Sequence, residues 1–224
     1  MKILAFNTST AYCSVALEQA HKKLSHVKLS ARKHTQYILP LIQKILQEGA
    51  MSLHELDALA FNRGPGSFAG IRVGITVAQG LALGSGLPLI GLSTLQILAQ
   101  AAWNRLFSPR VLVAMSTNTG HIYWAEYQRN HLGNWQSECG ETILQPQDIL
   151  ERMKTLTGRW TCVGTGWKSC PELIDQSSLD LLISNIDLPH AKDMLPLAKI
   201  MLILGSTVSP ETIEPKYLSK AFFS

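Results

Sequence analysis

Apolar residues arrive in short runs parted by glycine, proline and small polar residues, a rhythm of strands alternating with helices. Residues 2–7, 12–18 and 24–30 predict three short strands. The third alternates poorly, with Leu24, His26, Lys28 and Ser30 set against Ser25, Val27 and Leu29, so it is expected at a sheet edge. Thr8-Ser9-Thr10-Ala11 is short and polar, as a hairpin connection needs. Helical spacing runs from His34 to Gln47, with Gly49 placed to end the helix in the left-handed region. Ser52 and Glu55 have capping-box spacing, and Ala58–Asn62 is a short apolar strand. The loop Arg63-Gly64-Pro65-Gly66-Ser67-Phe68-Ala69-Gly70 leads into a helix to about Gly84, then a strand at Leu89–Gly91 and a helix to Trp103.

Asn104 to Pro109 reads as a boundary, dividing the chain into 1–106 and a shorter, degenerate 107–224. Strands restart at Val111–Met115 and His121–Tyr127, parted by a turn at Asn118-Thr119-Gly120. Pro146 opens a helix, Trp160–Val163 is a strand ending in Gly164-Thr165-Gly166, and a last helix spans about Ala191 to Leu204. The order fits two three-layer α/β subdomains with mixed sheets, which resembles the actin-like (ASKHA, ribonuclease H-like) duplication.

Composition sharpens this. Hydrophobic residues make up 46% and charged residues 16%, apolar enough to imply thick layers or a face kept for a partner. The most apolar stretch, Gly80–Ile90, is interrupted by glycine and proline and falls short of about 18 residues, so no membrane span is expected. No charged leader opens the chain, and its four cysteines are scattered, which suits a reduced, cytosolic protein. The net charge is +4, and Lys22, Lys23, Lys28, Arg32 and Lys33 cluster early. A solvated edge guarded by lysines or a weak contact with RNA would both use them.

Candidate chemistry centres on the glycine loop. Gly64 to Ala69 matches G-x-G-x-x-A between a strand and a helix, where backbone N–H groups can face an anion. A dinucleotide site also wants an acid about 20 residues on, but no Asp or Glu stands between Asp57 and Glu126. Pro65 removes one donor, and no Gly-Lys-Ser/Thr comes after it. A glycine turn shaped for tight packing is the competing reading. His54-Glu55 begins an H-E-x-x-H that fails at Ala58, and Ser67 lacks the nucleophile elbow. No nucleophile–base set assembles.

Two helices carry excess apolar surface. Tyr37, Ile38, Leu39, Leu41, Ile42, Ile45 and Leu46 spread over roughly 200° of the first, more than its own core requires. On the second, only Arg72, Thr76 and Gln79 form a polar strip, and small residues would admit another helix. The expectation is a partner interface built on Tyr37, Ile38, Leu41, Ile42, Ile45, Arg72, Thr76 and Gln79.

Ile3–Asn7 with Thr8-Ser9-Thr10, Cys13–Leu17, His34-Thr35-Gln36 with Leu39-Pro40, Arg63–Arg72, Ile122–Tyr127 and Val163–Trp167 together resemble the TsaB/YeaZ family over nearly the whole chain. The resemblance implies an actin-like fold and a scaffolding role. Such a subunit pairs with its paralogue TsaD, is joined by TsaE, and the assembly transfers threonylcarbamoyl onto adenosine 37 of tRNAs reading ANN codons. It implies that ATP and metal belong to TsaE and TsaD and that tRNA is met through the assembly, and it leaves open whether a homodimer forms without TsaD. The family's old glycoprotease label finds no protease constellation here. Where relatives often hold an aspartate this chain has Asn7, where they read Asp-x-Arg it has Ser116-Thr117-Asn118, and Tyr217-Leu218-Ser219 lacks an arginine. Asn7, Ser9, Gly64, Gly66, Ser67 and Ser116 are thus expected to form a degenerate nucleotide or anion site.

Overall fold

Along β1 (Lys2–Asn7) the pleat sends Leu4 and Phe6 to one face and Ile3 and Ala5 to the other, and all four are fully buried. A strand apolar on both sides must sit inside a sheet covered on both faces. β1 lies between β2 (Tyr12–Gln19), antiparallel to it, and β4 (Ala58–Asn62), parallel to it. β3 (Lys22–Leu29) pairs outside β2 and β5 (Leu89–Leu92) outside β4, giving the order β3-β2-β1-β4-β5. The structure is a computed structural model that describes residues 1–20, 22–30 and 33–218.

α1 (His34–Glu48) and α2 (Phe68–Ser85) cover the face of Leu4, Phe6, Val15, Leu17, Leu59 and Phe61. Gly49 closes α1 with φ −78°, and it is Ala50 that takes a positive φ. Gly49 instead sits close to the sheet: a Cβ there would lie 2.5 Å from Leu17 Cδ2, so that side-chain end would have to shift. α2 corrects the membrane expectation, being long and apolar enough to cross one by length and composition. Gly70, Gly74, Gly80 and Gly84 interrupt its apolar run in sequence without interrupting the helix. Here Gly70, Ile71, Gly74, Ile75, Ala78 and Ala82 bury one face of it.

A second sheet repeats the topology. β6 (Arg110–Ser116) pairs antiparallel with β7 (Ile122–Arg129), whose outer edge takes both β8 (Trp135–Gln136) and β9 (Glu141–Leu144). β10 (Arg159–Val163) runs parallel to β6, and β11 (Asp180–Ile183) parallel to β10. α4 (Pro146–Met153), α5 (Gly166–Ser169) and α6 (Glu172–Asp175) surround a core of Trp124, Trp160, Trp167, Leu112 and Leu173. Elements of two to four residues leave no readable period, so β8, β9, β11, α5 and α6 escape the sequence reading. On the same sheet Glu126, 4% exposed, accepts from Arg152 Nε and Nη2 at 2.9 and 3.0 Å and from Trp124 Nε1 at 3.0 Å.

The expected single division at 106/107 is corrected. One unit comprises Met1–Ile97 with Pro189–Lys216, the other Leu98–Leu188 with Tyr217 and Leu218 among the described residues, so the break falls inside α3 (Thr94–Leu106). The last helix, α7 (Ala191–Ile203), returns to the first sheet. Ala191 N donates to Ser14 Oγ (3.0 Å), and Lys199 Nζ reaches Glu18 Oε1 (2.6 Å). The cause is the apolar face of Ile3, Ala5, Ala16 and Ala60, which α1 and α2 leave uncovered. Helical periodicity says that α7 must bury a face, not which sheet receives it.

Candidate functional site

Parallel neighbouring strands end on the same side of a sheet, so β1 and β4 deliver Asn7-Thr8-Ser9-Thr10 and Arg63–Ser67 to one end of the first. Asn7 is fully buried, its Nδ2 donating to Pro189 O (2.9 Å) and its Oδ1 accepting from Ser9 N (3.0 Å) and Ser9 Oγ (2.8 Å). Ser67 N donates to Ser9 O at 2.8 Å, and Gly64 N to Asn62 Oδ1 at 2.7 Å. Ser67 also caps α2, its hydroxyl accepting from Gly70 N at 3.3 Å. Three of the loop's backbone donors, Gly64 N, Ser67 N and Gly70 N, are therefore spent within the unit.

The glycines explain why. A Cβ on Gly66 would stand 2.4 Å from Ser9 O, and one on Gly70 2.1 Å from Thr8 O. Gly66 also holds φ 154°, open to glycine. Of the two readings the sequence left open, this geometry is that of tight packing: the two loops press backbone to backbone. Thr8 Oγ1 adds a bond to Gly70 O (2.7 Å).

Asn7, Ser9, Gly64, Gly66 and Ser67 are thus brought together. Ser116 lies in the other unit, at the end of β6, where its N–H and hydroxyl meet Thr165 Oγ1 at 3.1 and 2.9 Å. Beside the first group sits something the sequence reading missed, three buried polar residues, Thr10, Ser30 and His34. Burial pushes the His34 imidazole below its ordinary 6.5, opposed by a hydrogen bond that the ring donates to the Thr10 backbone. Only their clustering in space reveals them; in sequence they are unremarkable polar residues. Burial likewise pushes the Cys13 thiol up to about 11, far from nucleophilic.

The expected interface set divides. Ile38, Ile42 and Ile45 are buried in the first core and leave no side chain for a partner. They are withdrawn from the interface: α1 faces both β2 and β3, so its own core takes a wider arc than a surface helix over a flat sheet. Tyr37 and Leu41 are half-buried, and Lys28 Nζ stands 3.9 Å over the Tyr37 ring. Gln79 is also engaged, donating to Pro210 O at 2.8 Å. Arg72 and Thr76 are exposed, and Arg72 Cζ lies 3.5 Å over the exposed Phe68 ring. The outward surface of the two helices carries residues outside the expected set, Leu39 on α1 and Leu83 on α2, 51% and 67% exposed. Gly80 and Gly84 have nothing within 4 Å of where a Cβ would be.

The early lysines are placed as an edge requires. Lys22, Lys23, Lys28 and Lys33 are exposed, and Lys23 stands 3.8 Å from Glu18; Arg32 and Ser219 fall outside the described residues. Sequence places twelve Lys and Arg against seven Asp and Glu in the first unit, and eight against nine in the second.

The family model described as TsaD, tRNA N6-adenosine threonylcarbamoyltransferase, matches residues 20–220. The tRNA threonylcarbamoyladenosine biosynthesis protein TsaB of Escherichia coli (strain K12) is 49% identical over 218 residues, covering 97% of this chain and 94% of that protein. Its Haemophilus influenzae counterpart is 36% identical, over 97% and 93%. YeaZ from Pseudomonas aeruginosa superposes with a TM-score of 0.83 at 34% identity, covering 96% of this chain and 100% of that one. A further crystal structure from that organism, of an uncharacterized protein with similarity to peptidase YEAZ, reaches 0.87 at 34% identity over 97% and 99%. Identity along nearly the full length, with the same two-unit α/β fold, makes this chain a member of the TsaB (YeaZ) family, within the wider group that the TsaD model describes.

Proposed function

We propose that this chain works in tRNA threonylcarbamoyladenosine biosynthesis as a non-catalytic subunit that scaffolds and activates a TsaD-type transferase. The observation that carries the partner reading is the outward surface of α1 and α2, where Leu39, Leu83 and Phe68 are exposed and where Gly80 and Gly84, flanking Leu83, are open. Small residues at helical spacing let a second helix come close, and a flanking leucine supplies the area to bury. The TsaD model's match to this chain supports a paralogous pair, since two similar folds can offer one another similar helices. TsaE joins that pair, and tRNA is engaged by the assembly in the cytoplasm. A second copy of this chain occupies the surface when TsaD is absent.

The non-catalytic reading rests on how the loop at the end of β1 is used. An enzyme of this fold needs charge there, and Asn7 supplies a neutral amide already bonded to Ser9 and Pro189. ATP and metal are accordingly assigned to TsaE and TsaD, and the isolated chain is expected to turn over no ATP. Leu83→Glu and Leu39→Glu, both at exposed positions and so expected to fold, should abolish co-purification with TsaD and stop modification in a reconstituted reaction. Folded variants that still co-purify at wild-type strength place the interface elsewhere. ATP turnover by the isolated chain that vanishes in Asn7→Ala overturns the non-catalytic reading.

A further inference from the structure

Arg129 closes β7 in the second unit, and its charge is met by no carboxylate. Its guanidinium carbon lies 4.2 Å from the centre of the Trp103 ring and 5.9 Å from that of Trp135. Among the described residues its side chain has no hydrogen bond or ion pair, and Nε is buried without a partner. Burial pushes its pKa down. The half-buried cation is nevertheless held firmly in place. Trp135 Nε1 donates to Gln100 Oε1 at 2.9 Å, and Gln100, 2% exposed, donates to Asn104 Oδ1 at 2.8 Å, which fixes the second ring. Arg129 N donates to Pro109 O at 2.7 Å. The turn that follows brings in Gly133 at φ 84°, where a Cβ would stand 2.9 Å from Nη1 and 3.0 Å from Nη2. An unpaired charge drawn partly out of water is costly, and aromatic contact keeps the arginine's planar fork in one place.

The same indole carries a second group. Phe107, the residue after α3, packs with its ring centre 5.9 Å from that of Trp103 at 76°, and it is 73% exposed. Its φ of 52° lies in the left-handed region, where glycine is the usual residue after a helix and a bulky aromatic is strained. Solvation and backbone preference both oppose an aromatic at this position. We propose that Arg129, Trp103 and Phe107 form a subsite for one unpaired nucleotide of RNA, its phosphate on the Arg129 guanidinium and its base stacked on Phe107. A guanidinium takes phosphate oxygens in pairs, and single-stranded RNA offers splayed bases to aromatic side chains. A carboxylate would satisfy the arginine alone; the exposed aromatic on the same tryptophan is what selects a nucleotide. Such a contact reads no sequence, since every base has a face to stack. The inference rests on the role in tRNA modification given above and adds to it a point of contact on this chain.

The test is NMR of the indole N–H signals of the full chain, titrated with single-stranded oligoadenylate, an RNA duplex of equal length and an acetylated, amidated Thr-Glu-Thr peptide. Oligoadenylate should shift the Trp103 and Trp135 signals saturably, and the duplex and the peptide should leave them in place. Arg129→Gln should flatten the slope of log affinity against log salt by about 0.7, the share of one phosphate on a single strand. Phe107→Gly suits the left-handed backbone, so it should fold at least as stably as the parent while binding oligoadenylate about tenfold more weakly. It decides alone if Arg129→Gln does not fold. Absence of shifts, equal affinity in Phe107→Gly, or equal shifts from the duplex or the peptide would overturn the proposal. If the wild-type chain still supports modification in a reconstituted reaction, such results remove the subsite and leave the role standing; a wild-type chain that supports none removes both.

Discussion

The loops after β4 and after β10 hold the same place in two sheets of one topology, and both are built on glycines that press against the end of the first strand. In the first unit Gly66 and Gly70 would set a Cβ 2.4 and 2.1 Å from the carbonyls of Ser9 and Thr8. In the second, Gly164 and Gly166 would do so at 2.2 Å from Ala114 O and 2.8 Å from Ala114 Cβ. The helices that the two loops open are unlike: α2 has 18 residues and α5 has four. Glycine spacing alone is therefore a signature of strand-end packing in this fold, whatever helix comes next. Reading it as an anion cradle needs free donors as well, and in the first loop Ser67 N is spent on Ser9 O.

The two units also hold buried charge differently, and the largest predicted effect tests that. Arg152→Leu leaves Glu126 buried without its cation and should destabilise by about 3–5 kcal/mol in chemical denaturation. Lys199→Met in the first unit should cost less, because Glu18 keeps Lys23 at 3.8 Å. Equal losses would remove that contrast. Next come Gly70→Ala and Gly166→Ala, neither at a positive φ, each expected to cost about 1–3 kcal/mol by overpacking. A neutral result at either would break the likeness of the two loops.

His34 supplies a pH test confined to the first unit. Its folded-state pKa lies below 6.5, so the unfolded chain takes up the proton first as pH falls. Stability should drop from about pH 6.5 downward and level off beneath the folded value, and His34→Gln should flatten that slope. An unchanged slope would mean that His34 is solvated in solution. The smallest effect is Gly80→Ala, a solvent-facing helix position, which should stabilise the isolated chain by about 0.5–1 kcal/mol. The same change should weaken association with TsaD, a sign reversal that separates an interface from plain surface.

The order of the longer elements, the edge position of β3, the long helices and the family were legible from the chain itself. Their signals are local: alternation in β1, the period of α1 and α2, and the contiguous run Arg63–Arg72. Sequence could not assign α7 to the first sheet, because a helix encodes that it has an apolar face and leaves open which sheet covers it. Nor could it split the α1 arc into buried Ile38, Ile42 and Ile45 and exposed Leu39, since that depends on how far β2 and β3 wrap beneath the helix. Neutral Asn7 was readable as a lost charge. That its amide binds Ser9 and also Pro189, which is 182 positions from Asn7, only the folded backbone decides, because hydrogen bonds depend on distance in space and not in sequence.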